Sequence, residues 1–165
     1  MRDVILIGTS HSYQLPRNQA ADTFRLFVEQ IYATKTFRAI AEEMSLEEVA
    51  NRHATQSVGA EVAVKLGVCH LYCDPDTQQR GALGVRHKSL IKTDGWLYDW
   101  SQEKIQQEIR TSHSIREQWW LERLLDLERW PVLFVCGTCH VEAFRNLAEA
   151  HGLSVDVVAF DWQPG

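Results

Sequence analysis

Near its start the chain reads Val4-Ile5-Leu6-Ile7-Gly8-Thr9-Ser10-His11, a short apolar run that ends in a Gly-x-x-His step. A second run of this kind is Val132-Leu133-Phe134-Val135-Cys136-Gly137-Thr138-Cys139-His140. Such runs are typical of strands buried in a parallel sheet. Because ligands bind at the carboxyl ends of these strands, we expect the two histidines to meet in one site.

Strand-like and helix-like segments alternate between these two runs. Apolar runs predict strands over 3–8, 36–41, 68–73, 131–136 and 154–160. Helical spacing predicts helices over 18–33, 46–54, 57–66, 102–129 and 141–151. Residues 77–100 have no clear period, so we expect a long loop or lid there with at most one short helix. This alternation predicts a single α/β domain over residues 1–165, with a mostly parallel sheet of about five strands and helices on both faces.

Composition and charge exclude some classes of protein. The chain is 45% apolar and 24% charged and has a formal net charge of −5, which is unfavourable for nonspecific binding to nucleic acid. No apolar run approaches the length of a membrane span. The first residues are too short and too acidic for a secretory signal, so we expect a cytoplasmic protein with reduced cysteines. The oligomeric state is left open.

Polar residues follow four of the predicted strands: His11, Glu42 with Glu43, Asp74, and His140. We expect these side chains at one rim of the sheet, and we expect a helix N-terminus to keep His140 neutral. Imidazole and carboxylate suit Zn²⁺, Mn²⁺ or a similar ion, which predicts a metal set of His11, Glu42 and His140. Adjacent strand residues point to opposite faces, so only one glutamate should enter the pocket directly. The alternative is that both histidines only hydrogen-bond their own turns.

Arg116 falls on the core-facing side of the predicted long helix. A buried guanidinium needs a partner, and Glu42, Glu43 or a bound anion would serve. Alternatively, Arg116 reaches solvent or pairs locally with Glu117 or Glu122.

In combination and order, these motifs resemble the TraB/TIKI/erythromycin-esterase superfamily, which also includes the haem-binding ChaN-like proteins. The matching positions are Gly8, His11, Glu42, Glu43, Arg116, Gly137 and His140. Members include metal-dependent proteases and esterases. The resemblance therefore implies a hydrolytic pocket built from these residues, acting on a small-molecule or peptide substrate.

The expected activity is hydrolysis of an ester or amide bond, with or without a divalent metal. In this hypothesis the two histidines bind the metal or act as base and acid, a glutamate activates water, and Arg116 stabilises negative charge. Asp74 and Trp96 are candidate substrate-binding residues. One alternative is a non-catalytic protein that binds a small ligand or haem in the same pocket. Another is a protein whose aromatic segment around Trp96 contacts a partner.

The cysteines allow two further interpretations, which we judge weaker. Cys136 to His140 matches the C-x-x-C-H pattern of covalent haem attachment, but the pattern lies at the end of a predicted buried strand. A site formed by all four cysteines is disfavoured because Cys69 and Cys73 would be about 13 Å apart along one strand. Packing in the core is the better explanation, with Cys139 expected to be the most exposed.

Overall fold

The computed structural model describes residues 2–165 and contains one five-stranded sheet flanked by helices. The strands are β1 (Asp3–Thr9), β2 (Ala39–Glu42), β3 (Cys69–Tyr72), β4 (Val132–Gly137) and β5 (Ser154–Trp162). The helices are α1 (Ala21–Thr34), α2 (Leu46–Asn51), α3 (Val58–Leu66), α4 (Thr77–Leu83), α5 (Lys88–Leu97), α6 (Gln102–Leu127) and α7 (Val141–Ala150). Two 3₁₀ turns cover His11–Gln14 and Thr138–His140.

All five strands are parallel, in the order β3-β2-β4-β1-β5. The two strands that carry the Gly-x-x-His steps are therefore neighbours, and their register pairs Gly8 with Cys136 and Thr9 with Gly137. On the other side of β4, Glu42 at the end of β2 pairs with Val135. The ends of β3, β2, β4 and β1 thus form one continuous rim. The predicted α/β class, with its parallel central sheet, is confirmed.

Strand residues alternate between two hydrophobic layers. The first layer, here called the α6 face, contains Ala39, Ala41 and Phe134, which lie in one core cluster with residues of α6 and α7. The opposite layer, the α1 face, contains Ile40 and Val135 together with residues of α1 and α3. Helices therefore cover both faces of the sheet, as predicted. By the same alternation, consecutive residues at the end of β2 point to different faces.

The segment 77–100 is not the long loop that the sequence predicted, because it holds both α4 and α5. A capping box begins α4, with the Asp76 carboxylate accepting from the Gln79 amide at 2.8 Å. Gly84, at a φ of 72°, ends that helix in the left-handed conformation. These short helices bury few side chains, chiefly Ile91 of α5. Because they bury so few residues, they leave little hydrophobic periodicity in the sequence.

The longest helix is α6, with 26 residues. Its buried Trp120, Leu121 and Leu124 pack in the core of the α6 face, and Arg116 lies one turn before Trp120. Across residues 2–165, no helix combines the length and apolar character needed to cross a bilayer.

Candidate functional site

Glu43 is the centre of the candidate site. It follows β2 on the α6 face and is almost completely buried. The Gly137 amide donates to Glu43 Oε2 at 2.6 Å, and Arg116 Nη2 donates to Oε1 at 2.6 Å. Each carboxylate oxygen therefore has a short, charge-assisted hydrogen bond, which fixes the orientation of the group.

The two histidines of the Gly-x-x-His steps approach this carboxylate from different strands. His11 Nε2 lies 3.4 Å from Glu43 Oε2, and His140 Nε2 lies 3.5 Å from Oε1. Gly137 lies beside all three groups. A Cβ atom there would be 3.3 Å from Glu43 Oε2, 3.7 Å from His140 Cδ2 and 3.8 Å from His11 Nε2. Folding thus brings both steps to one carboxylate.

The cluster is strongly polarised. Burial alone would lower the pKa of His11, but hydrogen bonding and the charges of Glu43 and Glu48 raise it to about 10. For Glu43, burial alone would raise the pKa, because burial disfavours the charged form of an acid. Its contact with His11 and the charges of Arg116 and His140 nevertheless hold the pKa of Glu43 well below the usual range. At neutral pH, Glu43 is therefore an anion enclosed by cations.

His140 is not the neutral group that the sequence predicted. Burial lowers its pKa, but pairing with Cys139 and Glu117 and the charge of Glu43 raise it to about 9. The hydrogen bond with Cys139 raises the pKa most, followed by the contact between His140 Nδ1 and Glu117 Oε1, 2.6 Å apart in the interior. These contacts raise the pKa even though His140 is the N-cap residue of α7, where the helix dipole disfavours a positive charge.

Each histidine has a second carboxylate that the sequence analysis did not assign to the site. Glu48 Oε1 lies 3.5 Å from His11 Nδ1, and Glu117 holds His140. Glu117 was considered only as a local partner of Arg116. The sequence feature that indicates a role for Glu117 is its position next to Arg116 in the same helix. Glu48 lies in the first turn of α2, where its backbone amide donates to Ser45 Oγ at 3.1 Å, a helix-start pattern that does not indicate a contact with His11.

Arg116 joins Glu43 to a second buried acid, Asp74. Its Nε and Nη2 atoms donate to Asp74 Oδ1 at 3.0 and 2.9 Å, and Trp120 Nε1 donates to the same oxygen at 2.9 Å. Arg80 forms an ion pair with Asp74 Oδ2. Of the predicted partners of Arg116, Glu43 is confirmed, and Asp74 is a second partner that the sequence did not predict. Asp74 does not line the cleft, and its hydrogen bonds hold the Arg116 guanidinium in place.

Glu42 lies away from this cluster, on the α1 face. Its Oε1 accepts from Ser57 and lies 2.7 Å from His70 Nε2, while Oε2 is buried and has no hydrogen-bond partner among residues 2–165. The predicted metal set of His11, Glu42 and His140 is therefore not assembled, because the strand alternation sends Glu42 to the opposite side of the sheet.

An open cleft of about 340 Å³ exposes part of the cluster. Its lining residues are His11, Glu43, Ser45, Glu47, Glu48, Asn51, Arg52, Pro75, Thr77, Arg80, His87 and Arg116. Asp74 and His140 lie outside this lining. Trp96, predicted to bind substrate, is 83% exposed on α5 and lines a separate cleft of about 450 Å³ together with Trp100.

Carboxylates lie near both ring nitrogens of each central histidine. Within residues 2–165, the three donors that lie within 4.8 Å of one another are those of His113, Cys139 and His140. Cys136 is buried and Cys139 is exposed, as the core-packing interpretation predicted, although Cys69 is exposed as well.

Comparison of the chain with protein-family models, with curated proteins and with solved structures finds no match. The resemblance to the TraB/TIKI/erythromycin-esterase superfamily therefore stays a prediction.

Proposed function

We propose that this chain hydrolyses ester or amide bonds in the cleft where His11, Glu43 and Arg116 converge. The observation that carries the proposal is the position of Glu43, an almost fully buried carboxylate that is fixed by two hydrogen bonds of 2.6 Å and lines the cleft. An ionised acid held beside an imidazolium gives a base and an acid within one reaction volume. His11 and Arg116 supply positive charge where the carbonyl oxygen of a substrate would become an oxyanion.

The proposed hydrolysis uses water and the side chains of Glu43 and His11. A water molecule attacks the substrate carbonyl and gives a proton to Glu43, while the His11 imidazolium gives a proton to the leaving oxygen or nitrogen. The proton on Glu43 then returns to His11 across the 3.4 Å that separates their facing atoms. The low pKa of Glu43 keeps it ionised at neutral pH but makes it a weak base.

His140 acts as a positioning residue in this scheme. It lies behind Glu43, outside the lining of the cleft, and Glu117 holds it through the 2.6 Å contact. Its positive charge helps to keep Glu43 ionised. Arg116 has a comparable anchor in Asp74.

The test is a panel of p-nitrophenyl esters and p-nitroanilides, assayed with the full chain and with two variants, Glu43→Gln and His11→Ala. Loss of the acid or the base should lower kcat/KM by about 10²-fold or more. His151→Ala is the matched control, since His151 is exposed just after α7, where its Nδ1 lies 2.9 Å from the Leu147 carbonyl oxygen. Turnover that survives unchanged in Glu43→Gln, or no turnover across the panel, would remove the proposal.

One observation favours a second candidate, a protein that binds a small anion without turnover. The raised pKa of His11 makes it a cation beside Arg116, and Arg52 and Arg80 also line the cleft. Calorimetric titration with acetate and with phosphate distinguishes the two candidates. Binding that is lost in His11→Ala, in the absence of turnover, would favour the second.

A further inference from the structure

A second group of chemically reactive side chains lies on the other side of His140 from the cleft. His113 projects from α6, and Cys139 and His140 belong to the 3₁₀ turn after β4. One donor atom from each of the three lies within 4.8 Å of the others. The two imidazole rings are also close, with centroids 4.4 Å apart.

We infer that His113, Cys139 and His140 form a site for a thiophilic divalent metal of the Zn²⁺ type. Two imidazoles and one thiolate are the ligands that Zn²⁺ prefers, whereas Mg²⁺ and Ca²⁺ prefer sites built from oxygen atoms. Tetrahedral Zn²⁺ needs neighbouring ligand atoms about 3.5 Å apart, so closure on the ion requires shifts of about 1 Å. The exposed Cys139 and the partly buried His113 are free to make such shifts.

Access and surrounding groups support the same assignment. An open cleft of about 550 Å³ is lined by His113, Glu117 and Cys139, so an ion and a water molecule can enter from solvent. Glu117 Oε1 lies 2.6 Å from His140 Nδ1, which resembles the carboxylate–histidine pairs that orient metal-bound imidazoles. Three protein ligands would leave the fourth position to solvent or to Glu117. Binding releases the thiol proton of Cys139 and the imidazolium proton of His140 to solvent.

This site is separate from the reaction volume proposed above. His140 belongs to both groups, but His11 and Arg116 line the first cleft and neither lines the second. Variants can therefore separate the two. His140 itself is buried and its replacement risks unfolding, so the test uses His113 and Cys139 instead.

The experiment is titration of the reduced, chelator-treated full chain with Co²⁺, followed by displacement with Zn²⁺. We expect one equivalent of Co²⁺ to give the visible absorption of a tetrahedral ion and a thiolate-to-cobalt charge-transfer band in the near ultraviolet. The band should vanish in Cys139→Ser, and Co²⁺ affinity should fall in His113→Ala. Glu117→Gln should weaken Zn²⁺ binding by about 10–100-fold, the range for removal of an outer-shell partner.

Two matched controls complete the design. Cys69→Ser removes the other exposed cysteine and should leave the charge-transfer band intact. His11→Ala should also bind Co²⁺ normally, even though it is expected to lose ester turnover, so failure of one proposal is distinguishable from failure of the other. The inference is overturned if the full chain gives no charge-transfer band, if the band persists in Cys139→Ser, or if Cys69→Ser abolishes it.

Discussion

Replacement of Arg116 by methionine removes a guanidinium that contacts both Glu43 and Asp74. Its side chain is 14% exposed, and the two carboxylate side chains are 3% and 0% exposed. Removing one partner from a buried ion pair costs about 3–5 kcal/mol, because the other charge stays buried without compensation. Asp74 keeps Arg80 and Trp120 as partners, so we expect the lower end, about 3 kcal/mol.

The assay is urea unfolding at pH 7 of the wild-type chain and Arg116→Met. Arg145→Met is the matched control, because the exposed pair between Arg145 and Glu149 is worth about 0–1 kcal/mol. Methionine is chosen because it fills most of the volume of the aliphatic stem and introduces no polar group.

The difference between wild type and Arg116→Met should shrink on acidification. In the wild type, the pKa of Glu43 lies below its ordinary value of 4.5, so this group contributes stability above that pH and loses it as the pH falls. Loss of the guanidinium raises the pKa of Glu43 in the variant, which therefore loses less stability in acid. A cost below about 1 kcal/mol at pH 7, the range of an exposed pair, or a difference that widens in acid would refute the reasoning.

Three further predictions concern the packing of Gly8, the pH dependence that His11 gives to stability, and Trp96 of α5. Gly8→Ala should destabilise the chain by about 1–3 kcal/mol in thermal unfolding, because its Cβ would lie 2.0 Å from the Phe160 carbonyl oxygen. Gly81→Ala, with nothing within 4 Å of its Cβ, should be neutral or stabilising. Raising the pH from 6.5 to about 9.5 should lower the free energy of unfolding by about 3 kcal/mol more in the wild type than in His11→Ala, because His11, with a pKa of about 10 in the folded chain, retains a proton that the unfolded chain releases. Equal losses in urea unfolding across this pH range would contradict the prediction. Trp96→Ala should leave ester turnover unchanged, because Trp96 lines a different cleft, and a fall in kcat/KM would restore it as a substrate contact.

The sheet and part of the site follow from local sequence patterns. The runs of β1 and β4 are apolar throughout because both faces of these strands are buried. The two-residue period of a strand also predicted that Glu42 and Glu43 would separate, and their contacts confirm it. The pattern did not say which glutamate joins the histidines, because that depends on which helix covers each face.

The rest of the site depends on distances between elements that no local pattern contains. Glu117 and His113 reach His140 only because α6 packs beside the end of β4. The pKa of His140 was predicted from the helix that follows it, but it is raised by the neighbouring Cys139 and by Glu117 and Glu43, which come from other parts of the chain. Charge in a buried cluster depends on all of its neighbours, which the sequence separates widely.

The central claim is that both Gly-x-x-His steps deliver their histidines to one ionised carboxylate, Glu43. Its most direct test is a pH titration of the imidazole ¹⁵N resonances of the full chain and of Glu43→Gln, with His11 assigned from His11→Ala. We expect His11 and His140 to stay protonated well above pH 6.5, with pKa values of about 10 and 9. Both pKa values should fall in Glu43→Gln. If His11 and His140 titrate near 6.5 in the wild type, the two histidines do not share this carboxylate.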